Sequence, residues 1–198
     1  MLILGGRCGD LFGRLRLFRL GLSVFTLASL LGGLALTPWM LVVGRLLQGA
    51  GAAMVAPAAL ALLTTAFGEG EARNRALGLW GAASSAGGAV GILVGGPLTE
   101  LSWRAVLLIN VPIGVIAVLA APRLLDESRD HAAHRLDMPG AVLITTAIAA
   151  LVYGLSSATD GFARPSVIVA LVASAVLTKA FVVAEAKTND PLVPLRVF

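Results

Sequence analysis

Residues Met40–Ala66 read MLVVGRLLQGAGAAMVAPAALALLTTA, an apolar run whose only charge is Arg45. A helix of about 20 apolar residues is long enough to cross a bilayer, so this run is expected to span one. A guanidinium at membrane depth costs about 2.5 to 3.5 kcal/mol on insertion scales, and charges kept there generally serve function. Steps of three and four residues put Arg45, Gln48, Gly49, Ala52, Ala53 and Ala56 on one helical face, with Leu41, Leu46, Leu47 and Met54 elsewhere. Small residues let a neighbouring helix come close, and polar side chains find partners across such a contact. This pattern turns Arg45 and Gln48 toward the interior of a bundle. The alternative is that Arg45 snorkels to the outer end of its helix, about 9 Å away.

Composition extends this reading to the whole chain. Of 198 residues, 58% are apolar and 13% charged, with a mean hydropathy of +0.91. Soluble domains carry roughly 25% charge, so no single water-soluble core fits this balance. Backbone in lipid must satisfy its own hydrogen bonds, which leaves helices. Long runs without strict alternation argue against barrel strands. The fold class expected is all-α, a polytopic transmembrane helical bundle. Spans are expected at Leu17–Leu36, Trp39–Ala66, Leu77–Leu98, Val106–Ala121, Pro139–Ser157 and Ser166–Ala184, the fourth being short. The opening MLILGG is too short for a signal peptide and looks like the tail of a helix whose beginning is absent.

The basic residues orient these spans. Alternate loops hold Arg7, Arg14, Arg16 and Arg19, then Arg73 and Arg75, then Arg123, Arg129 and Arg135, then Lys187 and Arg196. The opposite loops hold only Arg104 and Arg164. The positive-inside rule puts the first set, and both ends of the segment, in the cytoplasm of a cell-membrane protein. Trp39 and Trp103 then fall at the outer interface and Trp80 near the inner one. Because the positive charges sit at helix ends, the net charge of +4 does not suggest a nucleic-acid partner. The partners are the bilayer and whatever crosses it.

Other features are weaker. The third full span carries Gly78, Gly81, Gly87, Gly88, Gly91, Gly95 and Gly96, of which Gly87, Gly91 and Gly95 form a ridge at intervals of four. Glycine weakens a helix, so this many need a reason. Tight helix packing is the first reason and a moving contact the second. The loop Gly5–Arg14 (GGRCGDLFGR) joins two spans by a sharp turn. In it, Asp10 is placed to cap the next helix or to pair with Arg14 or Arg16. No Gly-Lys-Ser/Thr follows, so it is not a phosphate loop. The stretch Leu124–Asp137 reads as a solvated cytoplasmic linker, and its His131 and His134 have no further metal ligand nearby. The lone Cys8 matches no metal spacing and excludes an intrachain disulfide. Lys179 lies near the inner end of the last span and is expected to snorkel. No catalytic set appears, so neither an enzyme activity nor a cofactor is expected.

Several of these pieces resemble a known family. Gly6-Arg7-Cys8-Gly9-Asp10-Leu11-Phe12-Gly13-Arg14 is similar to the cytoplasmic loop motif of major facilitator superfamily transporters, between helices 2 and 3. Leu41–Ala53, with Arg45, Gln48, Gly49 and Gly51, resembles their helix 4 motif. Gly78, Gly87, Gly91, Gly95 and Gly96 resemble the antiporter motif of helix 5 in spacing. Trp103-Arg104 with Asn110-Val111-Pro112-Ile113-Gly114 resembles the start of helix 6 in the fourteen-helix drug:proton antiporter branch. Leu136–Ala141 (LDMPGA) resembles the entry to that branch's two extra central helices, and Pro191–Leu195 (PLVPL) the segment before the second half. Each is weak alone, but their order across the chain is specific. The chain departs from the pattern at Ile92, where proline is usual, at Leu11, where a basic residue is usual, and at Cys8, where leucine is usual.

The resemblance implies a partial major-facilitator fold. Residues 1–125 would be an incomplete N-terminal half, 126–138 a cytoplasmic linker, 139–185 two central helices, and 186–198 a cytoplasmic segment leading to a missing C-terminal half. It implies proton-coupled efflux of small amphipathic compounds or drugs by alternating access, the chemistry of multidrug and antibiotic resistance. Arg45 would take part in proton coupling with Gln48 as helper, Gly6, Asp10, Gly13 and Arg14 in a cytoplasmic gate, and the glycine ridge in conformational coupling. The competing expectation is an inactive truncated product or a non-transporting assembly partner.

Overall fold

A computed structural model describes residues 13–128, 138–162 and 164–187. Its helices are α1 (Arg14–Gly33), α2 (Pro38–Ala66), α3 (Glu71–Leu101), α4 (Trp103–Leu108), α5 (Asn110–Leu124), α6 (Met138–Ser157) and α7 (Pro165–Lys187), with a 3₁₀ turn at Ala158–Asp160. No described residue lies in a strand. The helices form two units that divide near residue 133, with α1–α5 in the first and α6–α7 in the second.

Among the described residues, five helical stretches are long and apolar enough to cross a membrane: α1, α2, α3, the stretch Trp103–Leu124 and the stretch Pro165–Glu185. The fourth expected span, Val106–Ala121, thus proves longer than its apolar core. It is broken once, between α4 and α5, where Pro112 removes the backbone donor that would reach back four residues. The Asn110 side chain sits at that break, and its Nδ2 donates to the carbonyls of Val106 (3.2 Å) and Leu107 (3.4 Å). The fifth expected span, Pro139–Ser157, coincides with α6, a helix of 20 residues.

Local chemistry sets the helix ends. Thr37 caps α2 by accepting the Met40 N–H, and Pro38 occupies the first helical position, where its missing donor costs nothing. At the other end Arg73 reaches back to the carbonyls of Thr64 (2.9 Å) and Phe67 (3.1 Å). Arg104 donates to the Ala35 carbonyl at 3.0 Å while stacking 4.4 Å over the Trp103 ring, which ties the end of α1 to the start of α4.

In the first unit α1 packs along α2 on one side and against α4 and α5 on another. The α1–α2 seam is a backbone contact. A Cβ on Gly44 would stand 3.1 Å from the Gly32 Cα, and one on Gly51 would stand 2.7 Å from both the Gly21 carbonyl oxygen and the Phe25 nitrogen. The buried residues of α2 are Gly44, Gln48, Gly51, Ala58 and Leu62. The expected face therefore needs correcting. Gln48 lies in the seam, but Arg45, Gly49, Ala52 and Ala56 lie beside it and remain exposed. The seam follows the glycines because van der Waals contact, not water exclusion, drives helices together in lipid. Near the Arg14 end, Leu15, Leu62 and Ala121 make a small core, flanked by Phe18 and Leu125.

In the second unit α6 and α7 form a helical pair. Val167 is fully buried, and Ala147, Ala170, Ser174, Phe181 and Glu185 are buried as well.

Candidate functional site: the Arg45 groove

Arg45 does not reach toward the Trp39 end of α2. Its Nη1 donates to Gln48 Oε1 at 3.0 Å, one helical turn further from that end. Gln48 is only 7% exposed, and its Nε2 donates to Ser29 Oγ at 2.7 Å across the α1–α2 seam. Ser29 is fully buried, and its hydroxyl donates in turn to the Phe25 carbonyl at 2.8 Å. Every partner from the guanidinium to the α1 backbone is thus fixed by the next. The close approach at Gly44 and Gly51 makes the Gln48–Ser29 bond possible, since a bulkier seam would hold the two helices apart.

Beside this chain lies an open groove of about 380 Å³, lined by Phe25, Arg45, Gln48, Gly49, Ala52 and Asn110. None of these residues is acidic. The groove thus presents one fixed positive charge and two carboxamides among small and aromatic surfaces. The site thus offers a cation and its hydrogen-bond donors.

The other residues singled out by sequence fare differently. Gly6 and Asp10 lie outside the described residues, as do His131, His134 and Cys8. Gly13 is buried with φ 106, a conformation that favours glycine. The Arg14 N–H donates to the Ser128 carbonyl at 3.0 Å. The glycine ridge stands open. A Cβ on Gly78, Gly87, Gly91, Gly95 or Gly96 would meet nothing within 4 Å, and α3 buries no residue among those described. Among the described residues nothing packs on the ridge. Glycines lower the steric barrier to a neighbour but do not attract one; in α2 the glycines Gly44 and Gly51 do meet a partner surface, the backbone of α1. Lys179 is exposed, beside Val176, Ala180 and Val183.

Sequence reasoning missed three participants. Ser29 is a polar residue in an apolar run, and the rule that such residues find partners across helices would have flagged it. Asn110 was legible only as part of a motif, not as a groove wall. Glu127 had no sequence signal. Its Oε1 accepts the Leu15 N–H at 3.1 Å, and its Oε2 lies 3.7 Å from Arg16 Nε. The strand of backbone after α5 therefore fastens the start of α1 by way of two residues that lie far apart in sequence.

Five apolar helices of membrane length among the described residues define a multi-pass membrane protein. The family follows from comparison with known proteins: the Major Facilitator Superfamily profile matches residues 1–184, and the chain belongs to that family of transporters. It is 47% identical to a cephamycin export protein of Amycolatopsis lactamdurans over the whole chain and 42% of the relative's length. It is 45% identical to a puromycin resistance protein of Streptomyces alboniger, over 98% of the chain and 39% of the relative. A multidrug resistance protein of Mycobacterium tuberculosis is 36% identical over 96% of the chain and 36% of its own length. The chain thus spans about two-fifths of the length of these relatives.

Proposed function

We propose that the chain is part of a transporter that exports small amphipathic compounds across the cell membrane, coupled to protons, by alternating access of two helical halves. The observation that carries this reading is the Arg45–Gln48–Ser29 chain at the wall of an open groove. A cation kept at membrane depth and held by two successive side chains is costly and preorganised, which supports a working role. One of the relatives above is an export protein and two others are resistance proteins, which supports export.

In this reading Arg45 does not carry the proton. Its fixed charge favours the ionised form of an acid brought to the groove, so a proton leaves that acid when it faces Arg45 and returns when it does not. Gln48 holds the guanidinium toward the groove. Gly13 and Arg14, with Gly6 and Asp10, form the cytoplasmic gate. The open ridge of Gly78, Gly87, Gly91, Gly95 and Gly96 meets the remainder of the transporter in a contact that shifts during the cycle. The arginine-rich ends of α1 and α5 and the α2–α3 turn face the cytoplasm.

The test is Arg45→Ala in the intact protein, with Arg45→Lys beside it, measured as proton-driven drug export from vesicles at matched protein levels. Arg45→Ala is expected to abolish export. Arg45→Lys keeps the charge but loses the planar fork that meets Gln48, and should retain a reduced rate. Undiminished proton-driven export by Arg45→Ala sinks the proposal.

A further inference from the structure

On the side of α1 away from α2, a second groove of about 250 Å³ runs between α1 and α5, lined by Ser23, Thr26, Leu27, Val115, Val118 and Leu119. Its walls are apolar, with Leu27 66% and Leu119 60% exposed. The Thr26 hydroxyl is already spent on the Leu22 carbonyl at 2.7 Å, so it has no proton to offer an occupant. The two helices run antiparallel, and at one end of the groove each carries an arginine on the same face as the walls. Arg19, Ser23 and Leu27 follow at intervals of four on α1; Arg123, Leu119 and Val115 do so on α5. Both arginines are exposed. Arg123 Nη1 lies 3.5 Å from the carbonyl of Leu119, a residue of the groove wall. Glu127 is engaged at Leu15 and Arg16, and Arg14, Arg16, Arg19 and Arg123 outnumber Asp126 and Glu127 at this end. At the opposite end Arg104 is occupied by Ala35 and Trp103. Among the described residues the groove is thus apolar along its length and cationic at one mouth.

We propose that this groove is a binding site for an anionic phospholipid. An acyl chain lies along Leu27, Val115 and Leu119, and the phosphate sits against Arg19 and Arg123. The single charged end matches a molecule with one charged head and an apolar tail, whereas an apolar protein helix would leave both arginines without a counterpart. Arginines in pockets between membrane helices bind anionic headgroups through charge-assisted hydrogen bonds. This site is separate from the Arg45 groove and does not depend on the transport reading.

The test is native mass spectrometry of the intact protein, stripped in detergent and titrated with phosphatidylglycerol, phosphatidylcholine or glycerol 3-phosphate. One phosphatidylglycerol should be retained preferentially, and glycerol 3-phosphate should not bind, which separates a lipid from a free phosphate. R19Q/R123Q should weaken phosphatidylglycerol binding about thirtyfold. R19K/R123K, which keeps both charges, should retain it, so the test stands if the glutamine variant fails to fold. Val115→Trp fills the groove and should expel the lipid while both arginines remain. Equal retention of phosphatidylcholine, or phosphatidylglycerol binding unaltered in R19Q/R123Q or Val115→Trp, overturns the proposal.

Discussion

Gly49 and Gly51 stand two residues apart in one motif, yet the structure assigns them opposite costs. A methyl group at Gly51 would lie 2.7 Å from the Gly21 carbonyl oxygen and from the Phe25 nitrogen. Ordinary contact begins at 3.4 Å, so the approach is about 0.7 Å too close. Both obstructing atoms are backbone, so the helices themselves must separate. That strains the 2.7 Å bond from Gln48 to Ser29, which spans the same seam. Overpacking of this kind costs about 1–3 kcal/mol. At Gly49 a methyl group meets nothing within 4 Å. Both substitutions gain about 1 kcal/mol of helix propensity, so the difference between them isolates the contact. Gly51→Ala should be less stable than Gly49→Ala by about 1–3 kcal/mol, measured by equilibrium unfolding of the intact protein in mixed micelles. Two variants that agree to within about 0.5 kcal/mol would refute a glycine-set seam, because such surface changes lie inside that margin.

The remaining predictions concern the two polar ties of the first unit. Ser29→Ala removes the acceptor of the Gln48 amide and should cost about 0.5–1.5 kcal/mol, with a positive coupling to Gln48→Ala in a double-mutant cycle. Additive effects would show that the bond contributes nothing. Glu127→Ala should expose the start of α1, raising amide exchange at Leu15 and lowering stability by about 0.5–2 kcal/mol. Glu127→Gln keeps a neutral acceptor and should lose less, because Arg16 is largely exposed and its ion pair adds little. Equal exchange at Leu15 in the wild type and both variants would remove Glu127 from this role.

The amino-acid sequence by itself determined the class of the molecule. Apolar runs of membrane length, punctuated by arginine-rich turns, can only be helices in lipid, and α1, α2, α6 and α7 begin and end within a few residues of where those runs do, whereas α3 begins earlier, at Glu71. It also marked Arg45 and Gln48, because a charge inside such a run needs a partner. Periodicity alone could not decide which face of α2 meets a neighbour. The small-residue face that held Arg45 and the true seam at Gly44, Gln48 and Gly51 are close in angle and alike in composition, and backbone contact on both helices chose between them. The glycines of α3 show the same limit from the other side: a smooth helix face permits contact, and only a partner's surface supplies it. The lock on Arg45 runs through Ser29, and the cap on α1 comes from Glu127, 112 residues beyond Leu15. Bonds between residues so far apart exist only once the helices have docked, so the tertiary structure alone decided what holds the charge and where it faces.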